Sequence, residues 1–479
     1  MILCKMKNFN MKKILVLFSL YSVPAFSQHE ADNWYFGGNA GITFSTIPPS
    51  IISGSQMIAN EGCASLSDSA GNLLFYSDGT SIWDRTHTVM PNGTGLNASS
   101  TCTQAALFVP HPGNDSLFYI FNPPDEFTVP GYFCYSIIDM TLNNGNGDVI
   151  NKNTQLFSPS TEKVTACRHA NGTDIWVIGH SYNNADFYAY LITTSGINTG
   201  PVISTAGAVH TSGTANKEGN MKASPCGDKI ALVVSYSAFV ELFDFDNATG
   251  IVSNAIHLGD FTPHIAYALY GIEFSPDGSR LYVTQENPAL LVQYNLLAGS
   301  PAAIIASADT IVIYTPYWLK FSGLQSGPDG KIYVGRLSDD FLAVINNPDS
   351  LGNSCNFSDT AVMLGQWIYC YHSLPNFMSS YFCPIPTGIY DPPENDLSVS
   401  IYPNPSNAEI HITVSVLSLS TIEINVINFL GQTIRTKSFN KLPPGSHTLK
   451  MDVKDLKAGI YFIKTNDGKQ NEIKKFVKE

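Results

Sequence analysis

Short alternating runs of apolar and polar residues, separated by turns that contain glycine, fill most of the chain. In YGIEFSPDGSRLYV, from Tyr270 to Val283, one apolar run enters a Ser-Pro-Asp-Gly turn and a second run leaves it. This pattern predicts two antiparallel strands joined by a tight hairpin. Five other stretches share it, and the six turn glycines, 42 to 59 residues apart, are Gly71, Gly113, Gly172, Gly227, Gly278 and Gly330. Such a period with strands in every copy indicates the blades of a β-propeller.

A seventh blade is predicted from the two ends of the repeat region. NWYFGGNAGITFSTIP, from Asn33 to Pro48, matches the second and third strands of a blade, and Leu374 to Phe377 has the alternation of an inner strand. Pairing these segments would remove the open edges of a ring of sheets. We therefore expect an all-β fold with a seven-bladed propeller over residues 28–384, and six blades as the alternative.

The composition changes after the repeats. Residues 385–396 are rich in proline and polar residues, which is typical of a linker between folded units. Beyond them the chain is rich in lysine and contains about seven short alternating runs. This pattern predicts a small immunoglobulin-like β-sandwich over residues 397–479.

The C-terminal segments resemble a known family. SIYPNPSNAEIHI (Ser400 to Ile412), INVINFLGQTI (Ile424 to Ile434), LKAGIYFIKTNDG (Leu456 to Gly468) and KKFVK (Lys474 to Lys478) are similar, in order, to the type A C-terminal sorting domain of the type IX secretion system. The resemblance implies an address read by the outer-membrane translocon of a Gram-negative bacterium and then cut off by its sortase. It also implies a protein at the cell surface or outside the cell, in some cases anchored to lipopolysaccharide. The alternative is an adhesive module that stays attached.

A looser resemblance covers the repeat region. WYFGGNAGITF and EGCASLSDSAGNLLFYSDG are similar to a region that often precedes such sorting domains in secreted surface proteins. The SPDG units resemble WD40-like and lactonase-like propellers. This second resemblance implies a fold rather than an activity.

The first 27 residues predict a secretory signal peptide. Lys12 and Lys13 precede an apolar run from Ile14 to Tyr21, and Ala25-Phe26-Ser27 provides small residues before a cleavage site. This run is too short to span a membrane, and no other stretch approaches the ~20 apolar residues that a membrane helix needs. We therefore expect export and no transmembrane segment.

Charge is distributed unevenly along the chain. The segment from Ser398 onward has eleven Lys and Arg against seven Asp and Glu, whereas the predicted propeller carries an excess of acidic residues. An acidic body repels phosphate backbones, so nucleic acid is not expected as a partner.

Eight cysteines follow the predicted signal peptide. In an exported protein they are candidates for disulfides, although sequence alone does not give the connectivity. Two pairings are considered: Cys63 with Cys102, which would join neighbouring inner strands, and Cys355 with Cys370, which would close a loop before the last blade. No metal site is predicted, because Cys167-x-His169 and Cys370-x-His372 both lack a Cys-x-x-Cys partner.

No nucleophile elbow, zinc-protease helix or phosphate loop is present in the sequence. Alignment of the repeats on their turn glycines places several polar residues near the start of the inner strands, around one end of the central channel: Glu61, Thr103, Gln104, Glu162, Lys163, Lys217, Glu218, Lys320 and His372. Paired carboxylates such as Glu61 and Glu162 could serve acid-base chemistry or hold a cation. The alternative is a ring of solvated polar residues without a ligand.

Two functions follow from these patterns. The first is a surface or secreted binding protein for a glycan or a surface protein, favoured because no catalytic arrangement is recognisable. The second is a propeller hydrolase, lactonase-like or active on glycans, with carboxylates at the channel mouth. No cofactor is expected. The stretch from Asp244 to Gly250 begins like a calcium loop, but Ala248 and Ala255 occupy two ligand positions, so a hairpin turn is predicted instead.

Overall fold

The computed structural model describes residues 28–211, 213–261, 269–314, 321–372, 374–383, 397–416, 420–428, 432–442, 445–466 and 471–479. The chain divides into two compact units, Met1–Ile385 and Pro386–Glu479. The predicted signal peptide, 1–27, and the predicted linker, 385–396, lie outside the described residues. The domain limits 28–384 and 397–479 therefore stay predictions.

The first unit is built almost entirely of strands. Its described residues form seven sheets, numbered here in chain order, and each sheet consists of antiparallel strands that follow one another in the sequence. Sheet 1 contains β1 (Asn33–Phe36), β2 (Ala40–Thr43) and β3 (Ser50–Ile51). Sheet 2 contains β4 (Ala64–Ser67), β5 (Leu73–Ser77), β6 (Ser81–Asp84) and β7 (Val89–Thr94). Sheet 3 contains β8 (Leu107–His111), β9 (Asn114–Asn122), β10 (Phe133–Asp139) and β11 (Asp148–Phe157).

The remaining four sheets follow the same scheme, except that β16 pairs with β14 in the fourth. Sheets 4 and 5 contain β12 (Ser160–Arg168), β13 (Ile175–Ser181), β14 (Asp186–Thr193), β15 (Gly196–Ile197) and β16 (Val202–Thr205); and β17 (Met221–Ala223), β18 (Lys229–Val234), β19 (Phe239–Asp246) and β20 (Ile251–Asp260). Sheets 6 and 7 contain β21 (Leu269–Phe274), β22 (Arg280–Gln285), β23 (Ala289–Asn295) and β24 (Asp309–Tyr314); and β25 (Phe321–Ser326), β26 (Ile332–Arg336), β27 (Phe341–Ile345) and β28 (Phe357–Met363).

Helical structure in the described residues is limited to short segments. They are one α-helix, α1 (Pro301–Ala306), and the 3₁₀ turns Asn143–Gly145, Thr214–Lys217, Gly352–Cys355 and Ser379–Phe382. Within this part of the chain, no helix has the length and apolar character that crossing a membrane requires.

The hairpin between β21 and β22 shows why the repeat sequence folds locally. Gly278 adopts φ +71°, a left-handed conformation that glycine tolerates without strain, and its N–H donates to the carbonyl of Ser275 at 2.9 Å. Asp277 Oδ1 accepts from the backbone N–H of Ser279 at 2.8 Å. The same left-handed conformation occurs at Gly71, Gly172, Gly227 and Gly330. Five of the six predicted turn glycines therefore have this conformation, and Gly113 is the exception.

The sheets follow one another around a common axis. The first strand of each sheet contacts the first strand of the next, in the order β1, β4, β8, β12, β17, β21 and β25. Sheet 1 also contacts sheet 7, because the ring of Tyr333 lies 5.3 Å from that of Trp34 and 5.3 Å from that of Phe44. Antiparallel sheets arranged in this way form a β-propeller. Sheet 1 has three strands where the others have four or more, so the number of blades stays a prediction.

The predicted seventh inner strand is wrong. In the described residues, β1 pairs with β2, and Leu374 to Phe377 forms no strand beside it. This segment lies at the axis instead, where Pro375 makes an isolated bridge to Cys63 and the N–H of Asn376 donates to the Cys63 carbonyl at 2.8 Å. A proline has no N–H to give to a β-ladder, which explains why the apolar alternation does not produce a strand.

The core of the first unit lies between neighbouring sheets. Ring pairs join adjacent sheets: Phe75 and Phe108 lie 4.6 Å apart, and Phe187 and Phe243 lie 4.9 Å apart. Tilted or edge-on pairs of this kind contribute about 0.5–1.5 kcal/mol beyond the burial of their surface. These aromatic pairs fix sheet 2 against sheet 3 and sheet 4 against sheet 5.

The second unit is a β-sandwich of two sheets. One sheet has the order β29-β30-β33 and the other β32-β31-β34-β35. Both contribute apolar side chains to one core, which includes Ile412, Val426, Ile463 and Phe476. The strands are β29 (Leu397–Tyr402), β30 (Glu409–Val416), β31 (Ser420–Asn428), β32 (Thr433–Leu442), β33 (Gly445–Asp452), β34 (Gly459–Asn466) and β35 (Asn471–Lys478).

Candidate functional site

Ionisable side chains gather where the first strands begin, at one end of the propeller axis. Glu61 precedes β4, Glu162 and Lys163 belong to β12, and Glu218 precedes β17. Because these strands surround one axis, their starting ends come together although the residues are far apart in sequence. We call the following residues the mouth cluster: Glu61, Thr103, Glu162, Lys163, Lys217, Glu218, Tyr270, Glu286 and His372.

The mouth cluster is largely buried. Glu162 and Lys163 are completely inaccessible, and Glu61 and Glu218 expose 7% and 8% of their surface. The alternative expectation of solvated rim residues is therefore wrong for these four side chains. An ionised carboxylate without water is unfavourable unless the protein provides a charge partner or hydrogen-bond donors.

Glu162 receives hydrogen bonds on one oxygen only. Its Oε2 accepts from the backbone N–H of Thr103 at 2.7 Å and from the Thr103 hydroxyl at 2.6 Å. Its buried Oε1 has no hydrogen-bond partner in the part of the chain that the structure describes. Burial raises the pKa of Glu162 to about 7, against the opposing effect of the Thr103 donors. One acceptor at the centre of the site is therefore available.

Glu61 lies opposite several other carboxyl groups. Tyr270 donates its hydroxyl to Glu61 Oε2 at 3.0 Å. Burial raises the pKa of Glu61 well above its usual range, and the charges of Glu162, Glu218 and Glu286 raise it further. These charges come from three different sheets, so the carboxyl groups share one electrostatic environment.

The pKa of Glu218 is raised further than that of Glu162. Burial raises its pKa to about 9, with further contributions from the charges of Glu162 and Glu126. Glu126 belongs to the loop between β9 and β10 and is partly exposed. The raised pKa favours the protonated form of Glu218, which can donate a hydrogen bond.

The two lysines of the mouth cluster bind backbone carbonyl groups. Lys163 Nζ donates to the carbonyls of Lys217 at 3.0 Å and Glu218 at 2.6 Å. Lys217 Nζ donates to the carbonyls of Glu126 and Thr128, both at 2.9 Å. Burial lowers the pKa of Lys163 to about 7. The lysines thus hold loops together rather than pairing closely with the carboxylates.

His372 and Glu286 complete the cluster. Their Nε2 and Oε1 atoms lie 3.4 Å apart, and the side chain of His372 keeps 17% exposure. The carbonyl of His372 accepts from the N–H of Gly323 in β25 at 2.7 Å. His372 therefore links the segment after β28 to the ends of sheets 6 and 7.

One predicted ligand residue has a different role, and another is not described. Gln104 is a structural bridge, because Nε2 donates to the carbonyls of Val164 at 3.0 Å and Met221 at 3.1 Å, while Oε1 accepts from the N–H groups of the same residues. Its amide ties sheets 3, 4 and 5 together, so its assignment as a ligand residue is corrected. Lys320 lies outside the described residues.

The axis below the mouth cluster is filled by the segment from Leu374 to Cys383. Lys222 Nζ donates to Gln325 Oε1 at 2.6 Å and to Asn376 Oδ1 at 3.4 Å, and lies 3.5 Å from Glu273 Oε2. The cavity beside these side chains measures about 10 Å³, which corresponds to about one water molecule. Among the described residues, the axis below the mouth cluster therefore leaves no room for a ligand larger than water.

The disulfide predictions are wrong. Cys63, Cys102, Cys355 and Cys370 are free and buried, and the disulfide in the structure joins Cys226 to Cys383. The thiol of Cys102 contacts the carbonyl of Pro124 at 3.5 Å, and that of Cys370 contacts the carbonyl of Tyr371 at 3.3 Å. The proximity of inner strands thus did not give the correct partners.

The calcium-like stretch is a hairpin turn between β19 and β20. Asp246 accepts from the N–H of Ala248 at 3.0 Å and from the hydroxyl of Thr249 at 2.6 Å, while Asp244 pairs with Lys229 at 2.8 Å. The residues that the structure describes contain no group of three or more His, Cys, Asp or Glu side chains arranged to hold a metal ion.

Three residues near the site were not predicted from the sequence. Tyr270 is the second residue of β21, and Glu286 follows β22 rather than preceding a first strand. Glu126 lies on a loop outside the repeat pattern. An alignment of second strands as well as first strands would have indicated Glu286, whereas Glu126 gives no signal in one sequence.

Comparison with known proteins identifies the second unit. Residues 400–479 match the family model of the secretion system C-terminal sorting domain. A sorting domain of the type IX system implies interaction with that secretion machinery and delivery to the cell surface or the medium. The chain is therefore an exported protein. No curated protein matches the chain.

Solved structures show only distant likeness. PorZ, described as an essential bacterial surface component of the type IX secretion system of Porphyromonas gingivalis, is 10% identical, with 94% of this chain and 74% of that chain covered and a TM-score of 0.33. The periplasmic gluconolactonase PpgL of Pseudomonas aeruginosa is 12% identical, with 79% and 94% covered and a TM-score of 0.38. A putative 6-phosphogluconolactonase of Bacteroides uniformis is 14% identical, with 81% and 100% covered and a TM-score of 0.34. Likeness at this level carries no functional argument.

Proposed function

We propose that the protein is a surface or secreted binding protein, in which the propeller presents a ligand site and the sandwich serves as the export address. The observation that carries the binding role is the mouth cluster. It places four glutamates from different sheets around one end of the axis and leaves the buried Oε1 of Glu162 without a described partner. Buried polar atoms normally have hydrogen-bond partners, and those that lack one are common at functional sites.

The test uses the purified full chain against a panel of glycans and outer-membrane proteins. A triple variant with Glu61→Gln, Glu162→Gln and Glu218→Gln should lose the binding of any partner that the panel identifies. Glu241→Gln is the matched control, because Glu241 is a buried glutamate of sheet 5 whose oxygens accept from the N–H of Ala208. Binding that survives in the triple variant would contradict a site at the mouth cluster.

The export role has three parts that go beyond the family match. We infer that residues 1–27 direct the first membrane crossing, that the type IX translocon reads the sandwich, and that its sortase then cleaves in or near residues 384–400. Anchoring of the mature body to lipopolysaccharide is one end point, and release to the medium is the other. Mass spectrometry of surface and medium fractions distinguishes them, since anchored protein carries a sugar mass at its new C-terminus.

A second candidate function is hydrolysis of a lactone or glycoside. The raised pKa values of Glu162, about 7, and Glu218, about 9, favour it, because a protonated carboxyl group at neutral pH can act as a general acid. The test is turnover of a panel of aryl glycosides and simple lactones. Activity that Glu218→Gln abolishes would support this function, and no turnover by the intact protein would exclude it for these substrate classes.

A further inference from the structure

The charged side chains of the mouth cluster support a more specific inference, which rests on the proposed binding function. Among the described residues, Glu61, Glu162 and Glu218 form no ion pair with a lysine or arginine, because Lys163 and Lys217 donate to backbone carbonyls. Neighbouring carboxylates raise the pKa of Glu61, so each disfavours the ionised form of the others. The charge of Lys163 lowers the pKa of Glu162 and of Glu218, but burial lowers the pKa of Lys163 itself to about 7. The site therefore has a nearby lysine but no cation at ion-pair distance from these three carboxyl groups among the described residues.

The site also contains a hydrogen-bond acceptor that no described group donates to. Glu162 Oε1 is a buried acceptor without a described partner. A protonated primary amine has three N–H donors, one positive charge and no acceptor. It would pair with this oxygen and at the same time reduce the repulsion among the carboxylates.

The loop beside the site carries acidic residues, which would attract a positively charged ligand. Asp125 and Glu126 lie partly exposed on the loop whose carbonyls hold Lys217. Acidic groups along an entrance attract cations and repel anions over a distance of about 8–10 Å at ordinary salt. A neutral sugar could satisfy hydrogen bonds at the site but would gain nothing from the attraction of these acidic groups.

A metal ion fits the site less well than an organic cation. The described side chains do not offer three or more carboxylate, imidazole or thiolate ligands in a metal-binding arrangement. An ammonium group needs only two or three acceptors at hydrogen-bond distance. We propose that the mouth cluster binds a small molecule through a protonated primary amine, with Glu162 Oε1 as its central acceptor.

The experiment is titration calorimetry of the full chain at low salt with two pairs of probes. Glucosamine is compared with N-acetylglucosamine, and 1,4-diaminobutane with 1,4-butanediol, so that each pair differs in its amine charge. We expect the amines to bind at least tenfold more tightly than their neutral partners. We also expect proton release, seen as a binding enthalpy that depends on the buffer, since a bound ammonium converts neighbouring carboxyl groups to carboxylates.

Glu162→Gln should weaken amine binding at least tenfold, whereas Glu241→Gln should leave it unchanged. Circular dichroism and thermal midpoints confirm that both variants are folded. Equal affinity for the neutral probes, or amine binding that Glu162→Gln does not change, would overturn the inference while the proposed binding function could still stand on a neutral ligand from the panel. Absence of binding by every probe and every panel member would overturn both.

Discussion

Cys226 and Cys383 form a disulfide that joins residues 157 positions apart. Cys226 lies in the hairpin turn before β18, and Cys383 ends the segment that fills the propeller axis. The bond therefore fixes the end of the axial segment to sheet 5, at the opposite end of β17 from the mouth cluster.

We predict that Cys226→Ser combined with Cys383→Ser lowers the free energy of unfolding by about 2–5 kcal/mol, because a disulfide across a long loop restricts the unfolded chain. Urea denaturation of the double variant and the parent measures the difference. Cys134→Ser is the control, since Cys134 is a free buried thiol of β10. An unchanged transition midpoint in the double variant would contradict this role.

The second prediction concerns a pair of stacked histidines. The rings of His180 and His210 lie 3.9 Å apart, both are buried, and neither ring nitrogen of His210 has a hydrogen-bond partner among the described residues. Burial lowers the pKa of His180 to about 3 and that of His210 well below its usual value. As pH falls, the histidines of the unfolded chain therefore bind protons at a higher pH than the same histidines in the folded protein. The stability contributed by each neutral histidine is lost as pH falls below about 6.5.

We expect His210→Phe to reduce the loss of stability between pH 6.5 and pH 4 by about 1.4 kcal/mol for each pH unit, with little change at pH 8. Denaturant titrations across this range provide the measurement. His257→Gln is the control because His257 is half exposed on β20. A pH profile that is identical in the parent and in His210→Phe would contradict the prediction.

The third prediction concerns Glu162, whose ionisation lowers stability as pH rises rather than as pH falls. Its folded pKa of about 7 lies above the unfolded value, so the folded protein holds the proton more tightly and stability falls as pH rises from about 4.5 through 7. Glu162→Gln should remove about 3 kcal/mol of this decline. The measurement is the free energy of unfolding from pH 5 to pH 8, and a decline that stays as steep in the variant would show that Glu162 is ionised throughout.

The fourth prediction concerns export. Deletion of residues 397–479 should leave a folded body in the periplasm, because the sandwich has its own core and its own strands. Fusion of this segment to an exported fluorescent protein should carry the reporter to the surface or the medium. Cell fractionation with immunoblotting measures both outcomes. Normal secretion of the truncated protein would contradict the role of the sorting domain.

The features that the sequence predicted well are local. The Ser275–Ser279 hairpin depends on five consecutive residues, so its pattern indicates the turn without knowledge of the rest of the fold. The position of Glu162 was also predictable, because alignment on turn glycines gives its place relative to the end of β12. The number of strands in the sandwich follows from alternation in the same way.

The features that it missed depend on several sheets at once. Gln104 has the position of a ligand residue, and only the assembled fold shows that its amide is fully used by Val164 and Met221. The partner of Cys226 lies 157 residues away in a segment without a repeat pattern. Apolar alternation around Phe377 suggested a strand because the axial position of this segment depends on the ring that surrounds it.

The axial position of the segment from Leu374 to Cys383 also sets an order of events during folding. These are the final described residues of the first unit, yet Asn376 reaches Lys222 and lies within 3.5 Å of the carbonyls of Ala106 and Val164. A chain that emerges from its N-terminus can form the individual hairpins early, but the interior of the ring stays open to water until this segment arrives. Completion of the body therefore waits for nearly its whole length, and the sorting domain is the next part of the chain to emerge.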